Sequence, residues 1–160
     1  MDPQAKKHAL RMITYGLYVM TAKDERHVAA GTVTWLSQAS FEPPLIMVGV
    51  RVDSHLHHLV EATGQFAINI VGEGQKDMAA AFFRPAAVEN GTINGYAFEP
   101  GPATGAPLLL DAPAWFEARV TDALKRGDHT VFVAEVIEAG VRNPDLPPLV
   151  LRDTGWSYGG

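Results

Sequence analysis

The sequence predicts a mainly β fold: a closed or partly closed antiparallel barrel carrying two or three short helices. Three observations lead there. Six or seven short runs rich in Val, Ile, Thr and aromatic residues are separated by Gly, Pro, Asn and Asp turns. Only two or three stretches carry helical spacing, so no helix follows each strand as a doubly wound sheet requires. At 160 residues the chain suits one core, and a single domain over 1–160 is expected.

The elements follow in order. A short helix is predicted over Ala5–Met12, with Pro3 pre-setting its first turn and Gly16 breaking it. Leu17–Ala22 reads as the first strand, closed by the charged turn Lys23-Asp24-Glu25-Arg26. His27–Trp35 is a second β-like run, and a turn over Ser40–Pro44 leads into Leu45–Val50. The clearest helix comes next. Ser54 or Asp53 is a good N-cap, Leu56, Leu59, Val60 and Thr63 fall at i, i+3, i+4 and i+7, and Gly64 stops it. Gln65–Val71 is another strand, and a helix around Lys76–Phe83 ends at Arg84-Pro85, because the residue before proline disfavours helix. Residues 86–113 read as loop, punctuated by Asn90-Gly91, Asn94-Gly95, Pro100-Gly101-Pro102 and Gly105. Trp115–Thr121 alternates, with Phe116, Ala118 and Val120 on one face. Thr130–Ile137 is apolar enough to predict a strand buried on both faces. Leu149–Leu151 predicts a last short strand before an aromatic, glycine-rich tail.

Composition narrows the function. Thirteen basic against 18 acidic residues give a net charge of −5 with His neutral. Nucleic acid and anionic membrane both reward a basic face, so neither is expected as a partner. The absence of Cys removes disulfides, thiolate metal sites and thiol nucleophiles together. The longest apolar run, Pro43–Val50, has strand length, and the N-terminus lacks the unbroken apolar stretch of a signal peptide. A soluble, cytoplasmic protein is expected.

Several motifs are missing. Gly72-Glu73-Gly74-Gln75-Lys76-Asp77 lacks the third glycine of a dinucleotide fingerprint, and neither a Walker loop nor a Gly-x-Ser-x-Gly elbow is present. His55, His57 and His58 have no fourth ligand at matching spacing and read as a solvated helix face, not a metal site. Arg51-Val52-Asp53-Ser54 is more suggestive. It sits between a strand end and the best helix, where free N–H groups, a hydroxyl and a guanidinium can hold an anion without a glycine-rich loop. Ordinary capping by Ser54 is the competing reading. Gly31-Thr32-Val33-Thr34-Trp35-Leu36-Ser37 combines small residues with hydroxyls, which lets a flat ligand approach the backbone, although β propensity alone also accounts for it. Arg126-Gly127-Asp128 is good hairpin chemistry, and His129 directly after it would stand at the mouth of a barrel.

Together these segments resemble the flavin reductase-like family, whose fold is the FMN-binding split β-barrel. The likeness runs in order from Gly16 and Thr21, through Ala30–Ser37, Ser40 and the Pro43-Pro44 turn, to Arg51–Ser54, Gly64-Gln65-Phe66-Ala67-Ile68-Asn69 and Gly127-Asp128-His129. It implies an NAD(P)H-dependent flavin oxidoreductase that passes hydride from reduced nicotinamide to flavin N5, with FMN or FAD as cofactor and NAD(P)H as co-substrate. The resemblance places Gly31, Thr32, Val33 and Thr34 along the isoalloxazine, and Ser37 and Ser40 near the ribityl-phosphate end. It puts Arg51 and Ser54 on the phosphate, Phe82 or Phe83 beside the cofactor, and His129 against the nicotinamide. Asp53 departs from the family pattern, which more often has a neutral or hydroxyl residue there. A homodimer with flavin near the subunit interface is also implied. The alternatives are a non-catalytic flavin-binding protein and an FMN enzyme that reduces another small substrate.

Overall fold

The computed structural model describes all 160 residues. Helix α1 (Pro3–Arg11) starts two residues earlier than the apolar spacing indicates, because Asp2 caps it by accepting from the Gln4 N–H at 3.0 Å. No α1 residue is buried, so the helix lies outside the core.

Strand β1 (Tyr18–Lys23) pairs antiparallel with β2 (Val28–Val33) on one side and β5 (Gln65–Ile70) on the other. The predicted run His27–Trp35 does not continue as one strand. The chain breaks at Thr34-Trp35, and β3 (Leu36–Ser40) pairs instead with β4 (Leu45–Arg51). Trp35 causes the break: its carbonyl accepts from the Gly49 N–H at 2.8 Å, and its indole lies where a Cβ on Gly49 would stand 3.3 Å away.

Strands β10 (Ala114–Lys125) and β11 (His129–Val141) form one long hairpin with two register shifts. The full sheet runs β2-β1-β5-β10-β11-β4-β3, entirely antiparallel through its pairings. The sheet is not closed into a barrel, since β2 and β3 are its two edges and no ladder joins them. Yet only Thr34 and Trp35 separate those edges in sequence, and that length of chain spans roughly 11 Å at most. The sheet must therefore curl until its ends approach.

Helix α2 (His55–Thr63) matches its sequence signals. Ser54 Oγ accepts from the His57 N–H at 3.0 Å, and Gly64 ends the helix at φ 69°. Leu56, Leu59 and Val60 enter the core inside the curl, beside Met20, Val48, Phe66 and Phe132. His57 corrects the reading of a solvated histidine face. It is buried, with Nε2 2.7 Å from Thr130 Oγ1.

Residues 86–113 are not loop throughout. They build a small sheet from β6 (Val88–Glu89), β7 (Thr92–Ile93), β8 (Tyr96–Pro100) and β9 (Pro107–Leu109). Asn90-Gly91 and Asn94-Gly95 all have positive φ, the requirement of two-residue hairpin turns. Helix α3 (Lys76–Ala81) and this sheet cover a second core of Leu17, Val19, Met78, Phe82, Ile93 and Leu109. Two further expectations fail. In β11 burial alternates, with Thr130, Phe132 and Ala134 inside, so the strand is covered fully on one face only. Leu149–Leu151 forms no strand: Val150 makes one isolated bridge to Gly16, and α4 (Leu151–Thr154) begins there.

Candidate functional site

A cavity of about 620 Å³ opens between the two cores. Its walls are β2, the end of β4, the start of α2, the segment Phe82–Ala86, and the tail residues Trp156, Ser157 and Tyr158. The volume falls within the roughly 300–1,000 Å³ typical of ligand sites, and most of the lining is apolar.

The structure brings most of the sequence-derived residues to this cavity. Gly31, Thr32, Val33, Thr34, Arg51, Ser54, Phe82 and Phe83 all line it. The hydroxyls of Thr32, on β2, and Thr34, just past its end, differ in state. Thr32 Oγ1 donates to the Ala79 carbonyl at 2.7 Å, and the Thr32 N–H reaches the Phe82 carbonyl at 3.3 Å, so Thr32 ties β2 to α3. Thr34 Oγ1 is buried without any partner. A buried, unpaired hydroxyl costs about 1–3 kcal/mol unless something binds it. That oxygen has essentially no surface open to the cavity, so Thr34 meets the cavity through its other atoms.

At Arg51 and Ser54 the cavity wall is built from two turns laid side by side. His129 pairs with Arg51 across β11 and β4, and the Val52 N–H donates to the Asp128 carbonyl at 3.0 Å. Arg51 Nε and Nη2 donate to the two Asp53 oxygens at 3.0 and 2.6 Å. Hydrogen bonding to that carboxylate raises the Arg51 pKa further above its ordinary value. Ser54 Oγ donates to the Arg51 carbonyl at 2.8 Å while it caps α2. The first-turn N–H groups of His55 and Leu56 have no intrahelical partner, and both residues line the cavity.

Phe82 and Phe83 separate in role. Phe82 is buried in the second core, whereas Phe83 is 60% exposed at the rim, edge-on to Trp156 with ring centroids 4.9 Å apart. Ser37 and Ser40 lie on β3 and do not line the cavity, and Ser37 Oγ donates to the Gln38 carbonyl at 2.9 Å. His129 does not line it directly either. Its ring stacks at a tilt on Trp35, with centroids 4.3 Å apart, and its Nε2 lies 2.7 Å from the hydroxyl of Tyr158, which does line it. Burial raises the Tyr158 pKa, while the hydrogen bond from His129 lowers that of Asp128.

Sequence reasoning passed over the tail. Trp156, Ser157 and Tyr158 form a whole wall. The available signal was two aromatic residues, Trp156 and Tyr158, close together in a short polar, glycine-rich stretch.

The curled antiparallel sheet thus carries a mostly apolar cavity beside its core, with Arg51, Ser54 and the start of α2 on the cavity wall. Comparison with known proteins names the family. The chain belongs to the flavin reductase like domain family, which residues 10–159 match. It is 32% identical over 154 residues to the NADH:riboflavin 5'-phosphate oxidoreductase of Streptomyces pristinaespiralis, covering 94% of this chain and 84% of that one. It is 29% identical over 152 residues to the NADH-dependent flavin reductase StyB of Pseudomonas fluorescens, covering 94% and 86%. Among solved structures, the NADH:FAD oxidoreductase of Streptomyces globisporus in complex with NAD and FAD fragments superposes with a TM-score of 0.78 at 25% identity, covering 94% and 90%. Flavin reduction by a reduced nicotinamide nucleotide is the activity these names share.

Proposed function

We propose that this protein is an NAD(P)H-dependent flavin reductase that binds FMN or FAD in the cavity between its two cores. The observation that carries the reading is one cavity that gathers Gly31, Thr32, Val33 and Thr34 with Arg51 and Ser54, in a chain of the flavin reductase like domain family. The flavin and the nicotinamide supply the hydride chemistry themselves. The chain's own work is to bind, orient and dry the site. Gly31 and Val33 offer a close, flat approach along β2, with Thr34 beside them on the cavity wall. Arg51, the Ser54 turn and the first N–H groups of α2 receive the phosphate. Phe83 at the rim excludes water beside the ring, and His129 serves the nicotinamide side. The reading further includes one split-barrel domain over 1–160 in the cytoplasm.

Flavin titration followed by fluorescence is the test, with NADH and NADPH oxidation measured alongside. Saturable binding in the micromolar range together with steady nicotinamide oxidation is expected. No binding at those concentrations would sink the reading.

A homodimer belongs to the same proposal. On the outer face of the sheet, Met47 pairs with Val133 and Leu124 with Val131, which sets four apolar side chains in one patch. Met47 and Leu124 are 41% and 59% exposed. A contiguous apolar patch of this kind is the usual mark of an interface. Light scattering should give twice the chain mass, and a monomer mass at working concentration contradicts it. No helix is long and apolar enough to cross a membrane.

A further inference from the structure

The C-terminal tail is fixed at three points across the cavity mouth. Trp156 packs edge-on to Phe83, with the Lys76 ammonium 4.7 Å from its ring centroid. Tyr158 sets its ring edge-on to both Trp35 and His129, with centroids 5.1 and 5.7 Å apart. The Gly159 carbonyl accepts from Arg11 Nε at 3.1 Å, and a Cβ there would stand 2.8 Å from the Trp35 ring. A tail that merely covered the surface would need none of these.

The hydrogen bonds at His129 have a direction. Asp128 Oδ1 lies 2.8 Å from Nδ1, and an ionised carboxylate can only accept, so Nδ1 carries the proton. In the neutral ring Nε2 is then an acceptor, and the Tyr158 hydroxyl donates to it over 2.7 Å. The two partners are unequal. The Asp128 side chain is 92% exposed whereas Tyr158 is 37% exposed, so water screens the carboxylate contact more than the Tyr158 one.

We infer that Tyr158 is a positioning residue: its hydroxyl fixes the tautomer and ring orientation of His129, and the tail holds that hydroxyl in place. The effect on turnover rests on the proposal that His129 serves the nicotinamide. The hydrogen-bond arrangement does not.

The test uses Tyr158→Phe, which keeps the edge-on contact with Trp35 and should leave the melting midpoint nearly unchanged. Long-range proton–nitrogen NMR of the flavin-free protein is recorded at a pH where imidazole is ordinarily neutral. The parent protein should hold His129 in the Nδ1–H tautomer, and the variant should shift Nε2 and mix the tautomers. For whichever nicotinamide the parent oxidises, kcat/KM should fall about ten-fold, matching loss of one ordinary hydrogen bond, while flavin Kd stays within about two-fold. A parent His129 in the Nε2–H tautomer overturns the inference, as do histidine signals and kcat/KM both unmoved by the substitution. A moved Nε2 signal with unchanged kcat/KM overturns the part played in turnover. If the parent oxidises no nicotinamide yet the NMR change appears, the Tyr158–His129 contact stands and the reductase reading falls.

Discussion

Replacing Phe132 with alanine is expected to destabilise the protein by about 3–5 kcal/mol, the range for removing a large aromatic side chain from a packed core. Phe132 lies on the inner face of β11, is 1% exposed, and belongs to the core cluster shared by β4, α2 and β5. Its ring is 5.4 Å from that of His57, whose Nε2 in turn meets Thr130. The cavity left by the substitution therefore loosens the wall against which α2 is seated. In urea the midpoint should fall while the slope of the transition stays constant, as expected for a change in stability without a change in the surface exposed. A loss under about 1 kcal/mol would mean that the core collapses around the gap and that Phe132 does not seat α2.

Where local chemistry decides the outcome, the fold was legible from the residues. Ser54 and Gly64 bracket α2 because capping is a matter of nearby hydrogen bonds and of one left-handed residue. The break between β2 and β3 was not legible, since nothing local in Val33-Thr34-Trp35-Leu36 opposes a continuing strand. It follows from the indole of Trp35 seating against Gly49, a contact made only once β4 is in place. The error over residues 86–113 was of another kind. Asn90-Gly91 and Asn94-Gly95 are hairpin signals in their own right, but β6 and β7 beside them are two residues long, too short for alternation to register. Helix α4 replaced a predicted strand because Leu149-Val150-Leu151 is apolar in either state, and short apolar runs carry no period.

The candidate site was legible to the same extent. Small residues and hydroxyls on β2, and a helix start after a basic residue, are patterns of adjacent positions, and those positions line one cavity. The tail wall depends on a contact across 29 residues between His129 and Tyr158, for which one sequence holds no trace. Asp53 was legible as a departure from the family pattern but not as a partner. Its carboxylate turns toward Arg51 and pairs with the guanidinium instead of facing an incoming anion alone.

That pairing gives the substitution of Arg51 a particular signature. Arg51→Ala is expected to weaken FMN binding by about 1.5–3 kcal/mol, the range for hydrogen bonds to charged groups. Asp53 engages Nε and one Nη2 proton, so three of the five guanidinium N–H donors remain for a phosphate. Removal of the side chain takes those donors away and leaves the Asp53 carboxylate uncompensated beside the anion, so loss of attraction and gain of repulsion act together. The second part should be recoverable. In Arg51→Ala/Asp53→Asn the repulsion is gone, and about 0.5–1 kcal/mol of affinity should return, a modest figure because both side chains are more than half exposed. Riboflavin lacks the phosphate and should respond to neither substitution by more than a few tenths of a kcal/mol, roughly the spread seen for surface changes remote from a ligand. Calorimetric titration of the parent, the single and the double variant with both ligands settles the matter. Equal losses for FMN and riboflavin would mean that Arg51 meets no phosphate and that the anionic end of the flavin lies elsewhere in the cavity.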